Sequence, residues 1–364
     1  MKKNFYSNTK DWIQENLSNK DLHHFYKEFY TNENFRFSSP KGDPPKWVDW
    51  VVPPQFGVDH KFDKSYVSII KRGSVWMNGI GEGMIFVMTP NHKLLRDMVF
   101  YLNWNYFKVN NIRSTSYYPG NIAVLAWAGH SNYWHWLHDN LGRFHLLQLS
   151  GIQIDKYILP ALTLPYHWET IEKLGISKEK IIQLTPGMHV KAENLVLPSV
   201  PFNVGTSVKW TIDFLRQVFL NKEVIKNSSE FERIYISRED ASWRKVINEE
   251  EIMNFLKKKG FKKIVLNSLT VQEQIDIFSS AKFVIASNGA GLANIIFCNQ
   301  RTKIIQLFTS TSDEFMKIGN YLNLDYYFLS CSVAHPPSTV HEVMNNLIVD
   351  VDKLAKTLES AGIQ

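Results

Sequence analysis

Phe283-Val284-Ile285-Ala286-Ser287-Asn288-Gly289-Ala290-Gly291-Leu292-Ala293-Asn294 reads as a buried strand that breaks at a glycine turn and restarts as a helix. Apolar residues in an unbroken run suit a strand covered on both faces, as in a parallel sheet. A glycine turn between strand and helix bares backbone amides at the positive end of the helix, where phosphate binds well. The third glycine of the dinucleotide fingerprint is missing, which argues against a nicotinamide enzyme.

The same rhythm extends in both directions. On one side the pattern predicts a helix over 208–220, a strand over 233–237, a helix over 249–259, a strand over 263–266 and a helix over 271–280. On the other side come a helix over 292–297 and a strand over 303–308. An earlier series runs strand 122–127, helix 131–149, strand 156–159, helix 165–174 and strand 181–184, and a break falls near 201–206. Two blocks of alternating elements imply two doubly wound parallel sheets facing each other, with ligands beyond the carboxyl ends of the strands. Between 66 and 88 short apolar runs punctuated by Gly73, Gly79, Gly81 and Gly83 look like hairpin strands. A polar helical segment is expected over about 11–30, with Leu22, Phe25, Tyr26 and Phe29 as a stripe that docks on the body of the protein or on a lipid surface. The expected divisions are 1–50, a helical segment and loop; 51–203 and 204–340, two α/β domains; and 341–364, a C-terminal helix.

Composition bounds the function. The 364 residues are 44% hydrophobic and 21% charged, too apolar for a disordered chain and too long for a disulfide-stapled miniprotein. Lys plus Arg at 41 against Asp plus Glu at 35 leaves +6. That excess fits an anionic ligand, polymer or membrane surface and is too small to argue for nucleic acid. Cys298 and Cys331 make no framework, which fits a reduced, cytosolic protein. The opening residues lead into Asp11 and Glu15 with no signal-peptide pattern, and the longest apolar stretch, 122–128, is far below the ~20 residues that span a bilayer. Any membrane contact is expected to be peripheral.

Three constellations carry chemistry. The run from Gly129 to Arg143 follows a strand, with Ser131 expected to cap the helix. His135 and Asp139, four apart, share a face, and Arg143 lies one turn on. A carboxylate beside an imidazole orients it and raises its basicity, as a general base near neutral pH requires. His130, His135 and His138 admit a zinc hydrolase as an alternative, although no His-Glu-x-x-His is present. Second, strand 234–236 ends in Ser237 and Arg238, with Arg244 in the following loop. Two arginines at such a strand end can fork onto a diphosphate. Asn248 and Glu251 read as a capping box. Third is the turn from Ser287 to Asn294. Asp350-Val351-Asp352 reads as a helix cap rather than a metal site.

Taken together, these segments resemble glycosyltransferase family 61, over roughly 122–327. Asn132 to Asp139 is similar to the family's Asn-Tyr-aromatic-His-Trp-x-x-Asp stretch, with Arg143 after it. Tyr235 to Arg238, Arg244 and Asn248-Glu249 resemble its strand-Arg-loop-Arg-Asn-Glu segment. Asn288 to Asn294 resembles its His-Gly-Ala-Gly-Leu-x-Asn motif, except that Asn288 replaces the usual His and cannot carry a proton near pH 7. The resemblance implies a GT-B-like α/β fold, with two doubly wound Rossmann-like domains facing a central cleft. It implies inverting transfer from a nucleotide-diphosphate sugar, UDP-linked, to a glycan or glycolipid hydroxyl in surface polysaccharide biosynthesis, such as capsule assembly. On that reading 51–203 is the acceptor side and 204–340 binds the donor. Asp139 is the base, or His135 is the base or its orienting partner. Arg238, Arg244, Ser237, Asn288, Gly289, Ala290, Gly291, Leu292 and Asn294 hold the donor, and His130, Asn132 and Arg143 face the acceptor. Neither a metal nor another cofactor is obligatory. The expected partners are the nucleotide sugar and a glycan or lipid-linked glycan, not nucleic acid. Peripheral attachment at the inner face of the cell membrane and homo-oligomerisation stay open. The alternative is a nucleotide-sugar-binding module that has lost catalysis, with Asn288 as its symptom.

Overall fold

The computed structural model describes residues 4–17, 22–31, 33–48, 55–79, 84–99, 107, 112, 115–200, 207–220, 229–337 and 341–363. The chain forms two compact units, Met1–Asn34 with Lys61–Val204 and Phe35–His60 with Gly205–Gln364. Among the described residues no helix is long and apolar enough to cross a membrane.

The second unit follows the expected plan closely. Its six-stranded sheet is parallel, in the order Lys262–Val265, Arg233–Ser237, Phe283–Ser287, Lys303–Phe308, Asp325–Ser330 and the short Lys41–Gly42. Successive side chains of a strand point to opposite faces. Tyr235, Ile285, Ile305 and Tyr327 pack with Ile252, Met253 and Leu256 of helix Glu249–Lys258 and with Leu354 and Leu358 of helix Val351–Ser360. Their neighbours Ile234, Val284 and Ile304 are equally buried, so the sheet is covered on both sides. Asp350 caps the last helix, its side chain accepting from the Lys353 amide. Asn248 departs from the expected capping box. Its Nδ2 does reach Glu251 Oε2, but it also donates to the Val349 carbonyl, and its Oδ1 accepts from the Val349 amide, so the side chain staples two segments instead of capping helix amides.

The first unit corrects the expectation of a doubly wound parallel sheet. Its ten-stranded sheet is mixed. Ser116–Val124 runs parallel to Lys156–Pro160 and to His189–Pro198. His189–Pro198 in turn pairs antiparallel with Ser65–Lys71 and Ser74–Met77, so the expected hairpins join this sheet. The expected polar helix over 11–30 is a helix at Thr9–Asn16, a single turn at Leu22–Phe25 and a strand, Tyr26–Phe29, paired with Ser65–Lys71. Phe25 and Tyr26 pack on the core of this unit. The strand expected over 122–127 stops at Val124, because the amides of Leu125 and Ala126 both turn to the Ile158 carbonyl.

The helix expected over 131–149 is interrupted. Tyr133–His135 is one α-helical turn, Trp136–Leu141 is π-helical and Phe144–Ser150 resumes the α-helix. The widened turn shows in the Gly142 amide, which reaches back five residues to the Leu137 carbonyl, and in Asn140 Nδ2, which donates to the His135 carbonyl. Every residue from Trp136 to Leu141 is buried. Such bulges frequently accompany functional sites.

Arg143 is fully buried, which removes it from an acceptor-facing surface. Its Nη2 donates to the carbonyls of Val124 and Pro198 and its Nε to Pro198, clamping the ends of two neighbouring parallel strands. Burial pulls its pKa down to about 10, opposed by Asp139 and Tyr66, so the group stays a cation at neutral pH. Replacing it by Met strips both strand ends of this donor and should cost about 2–4 kcal/mol in urea unfolding, part of which Lys restores. A change below about 0.5 kcal/mol would mean that the clamp holds nothing.

Candidate functional site

In the second unit, three neighbouring strands, Arg233–Ser237, Phe283–Ser287 and Lys303–Phe308, end side by side and deliver three loops to one edge of the sheet. The first carries Arg238 and Arg244. Arg238 Nε and Nη2 donate to the Trp243 carbonyl at 3.2 and 3.1 Å, which fixes one edge of the guanidinium. Its other nitrogen lies against Gly289, where a Cβ would stand 2.2 Å from Nη1. The Arg238 pKa is drawn down to about 10 by burial and then by the neighbouring Arg244, against Asp240. Arg244 has φ +60°, a left-handed backbone that costs a non-glycine residue on the order of 1 kcal/mol. The Ser287 hydroxyl holds that turn by donating to the Arg244 carbonyl at 3.0 Å. Burial lowers the Arg244 pKa as well, against Glu314.

The second loop brings the glycine turn to this pair. Gly289 and Asn288 are buried, Ala290 and Gly291 half-buried, and Ala290–Phe297 is a 3₁₀ helix in place of the α-helix expected over 292–297. Gly291 admits no larger residue easily, since its Cβ would meet Leu266 at 2.8 Å. Three expected donor contacts are engaged elsewhere. The Ser237 hydroxyl donates to Glu249 Oε1 and accepts from the Glu239 amide. Asn294 lies in the interior, donating to Gln274 Oε1, and Leu292 is core. Both Ser237 and Asn294 shape the turn from beneath.

The third loop holds residues that sequence reading missed. Ser310 is buried, and Glu314 opens helix Glu314–Tyr321. Burial raises the Glu314 pKa, with Asp313 adding and Ser312, the backbone and Arg244 opposing. The only signal in the sequence was position, a carboxylate just past a strand end.

In the first unit His135 Nδ1 meets Asp139 Oδ2 at 2.7 Å, as their spacing predicts. His135 keeps 21% of its side chain exposed and Asp139 6%. Gly129, at φ +79°, makes the ring's place, since a Cβ there would stand 3.2 Å from His135 Cδ2. The helix cap is Asn132, accepting from the Trp134 amide, and not Ser131. His130 is buried, and its carbonyl accepts from Tyr166 and His167. His138 stacks on Trp134 at 4.7 Å, and burial holds its pKa at about 3. Among the described residues no three His, Cys, Asp or Glu side chains are grouped to hold a metal ion, so His130, His135 and His138 do not form the zinc cluster weighed above.

Residues 133–305 match the family Glycosyltransferase 61. That stretch, 173 of the 364 residues, is similar to this family. The matched stretch contains the His135–Asp139 pair, both arginines and the glycine turn, and the protein is a glycosyltransferase. Among solved structures, the bacterial iron-containing dodecameric glycosyltransferase TibC from enterotoxigenic E. coli H10407 aligns with 75% of this chain and 81% of its own, at 10% identity and a TM-score of 0.28. No curated protein matches the chain.

Gly289→Ala tests the second-unit site directly. The added methyl has no space beside Arg238 and should displace the guanidinium, weakening UDP binding at least tenfold in calorimetry, about 1.4 kcal/mol. Unchanged affinity would mean that Arg238 does not need this seat.

Proposed function

We propose that the protein is an inverting glycosyltransferase that moves a sugar from a nucleotide diphosphate, UDP by preference, to a hydroxyl of a glycan or lipid-linked glycan. The observation that supports it most is the seat of Arg238 and Arg244. At the carboxyl edge of a parallel sheet the Arg238 guanidinium lies against a glycine turn with Arg244 near enough to repel it, and among the described residues neither is in ion-pair contact with a carboxylate. Like charges held together in a half-buried place suit a dianionic ligand.

In the reaction the acceptor oxygen attacks the anomeric carbon from the face opposite the leaving group. The new C–O bond forms as the bond to the diphosphate oxygen breaks, which inverts the configuration. The acceptor proton passes to the His135–Asp139 pair, where the more exposed imidazole takes it and the carboxylate orients the ring and balances the imidazolium charge. The negative charge gathering on the diphosphate is met by Arg238, Arg244 and the amides of 289–291, a task that needs no metal. The Leu292 amide is taken by the Gly289 carbonyl. The reading includes a GT-B arrangement, with the first unit as acceptor side. It also includes surface polysaccharide as the product, made in the cytoplasm or at the inner face of the cell membrane. Asn288, where the family resemblance leads one to expect His, favours a second reading, a nucleotide-sugar-binding module without turnover. Donor hydrolysis across a panel of UDP-sugars separates the two.

Asp139→Asn should cut transfer by at least about 100-fold while UDP affinity stays within a few fold. Arg238→Ala should weaken UDP by about 10- to 150-fold, the loss of one charged contact. Full turnover by the Asp139 variant would remove that residue from the reaction.

A further inference from the structure

Four polar atoms at the sheet edge described above are enclosed by protein and make no hydrogen bond among the described residues: Arg244 Nε, Asn288 Oδ1, Ser310 Oγ and Glu314 Oε2. They come from the three loops that follow three adjacent strands. Buried polar groups are almost always paired, so a cluster of this kind at one edge calls for a ligand. Arg244 and Glu314 feel each other electrostatically, yet they are not in ion-pair contact. As residues both are only half-buried, so side-chain rotation can turn these atoms toward a ligand.

The chemistry of the four atoms sorts the ligand. An ionised diphosphate only accepts hydrogen bonds, which the arginines and the turn amides supply. An amide oxygen and a carboxylate oxygen also accept, and a phosphate oxygen cannot serve them. The part of the ligand that reaches Asn288 and Glu314 must carry O–H or N–H donors, and the donors that flank the diphosphate of a nucleotide sugar on both sides are sugar hydroxyls. The Glu314 carboxylate already accepts from Ser312 and from its own backbone amide, so its Oε2 and Asn288 Oδ1 are the two acceptors left for a pair of neighbouring hydroxyls.

We propose that Glu314 and Asn288, with Ser310, form a hydroxyl-binding subsite beside the arginine pair that takes a vicinal diol of the nucleotide sugar. The inference rests on the donor-binding reading given above. The diol belongs either to the ribose or to the transferred sugar, and the experiment distinguishes them.

Calorimetry on the full chain compares pyrophosphate, UDP, 2′,3′-dideoxy-UDP and a panel of UDP-hexoses and UDP-pentoses, for the wild type, Glu314→Gln and Asn288→Ala. If the ribose is the source, the wild type binds UDP at least tenfold tighter than dideoxy-UDP, and Glu314→Gln collapses that ratio while pyrophosphate affinity stays within twofold. If the transferred sugar is the source, UDP and dideoxy-UDP bind alike, and the variants lose affinity for UDP-sugars only. The dideoxy comparison uses the unaltered protein, so a variant that folds badly does not decide the matter. The proposal is overturned if both variants leave every ratio unchanged, or if they weaken pyrophosphate as much as UDP. A wild type that binds neither UDP nor pyrophosphate overturns the donor-binding reading itself, and this subsite with it.

Discussion

Two arginines half-buried side by side are the constraint on which the second unit turns. Each loses hydration, each repels the other, and burial lowers the pKa of both. Withdrawing a cation from water costs several kcal/mol unless partners replace the solvent. Among the described residues the partners are modest: the Trp243 carbonyl for Arg238, and for Arg244 the field of Glu314 without ion-pair contact. A left-handed backbone at Arg244 and a glycine flush against Arg238 add local cost to the same few residues. Strain gathered at one sheet edge is what a fold tolerates where an anion is bound, and it is the physical content of the donor-binding reading.

Much of the second unit was legible in the sequence because a parallel sheet covered on both faces leaves a simple pattern. Strands Arg233–Ser237 and Lys303–Phe308 and helix Val271–Ser280 fall where apolar runs and punctuation put them. The first unit was harder for a definite reason. Whether a hairpin stands alone or joins a neighbouring sheet depends on partners more than a hundred residues away, as the pairing of Ile69 with Val196 illustrates. Local periodicity carries no information on that choice.

The 131–149 segment marks another limit. Helical spacing correctly brought His135 to Asp139, because residues four apart still meet across one turn even where, as here, Asp139 lies within the widened segment. It misplaced what followed. Asn140 turns its amide back to the His135 carbonyl, the turn widens, and Arg143 enters the interior to hold two strand ends. An arginine that sequence alone places near an acceptor is thus a structural clamp. Gly129 shows the reverse: an unassuming residue whose missing side chain makes room for the imidazole.

Within the candidate donor site, residue type and residue role separate in the same way. Ser237 and Asn294 look like ligand-binding side chains and are occupied by Glu249 and Gln274, as buried hydrogen-bonding groups in a tight turn have to be. Glu314 lies outside every motif and ends with an enclosed oxygen that nothing in the described protein satisfies. The distinction follows from bookkeeping of donors and acceptors rather than from residue identity. A side chain whose hydrogen bonds are complete holds the fold, and one whose bonds are incomplete awaits something else. Asn288 belongs to the second kind, so its departure from histidine need not signal loss of activity: an amide oxygen can accept a hydroxyl's O–H, which a protonated imidazole cannot.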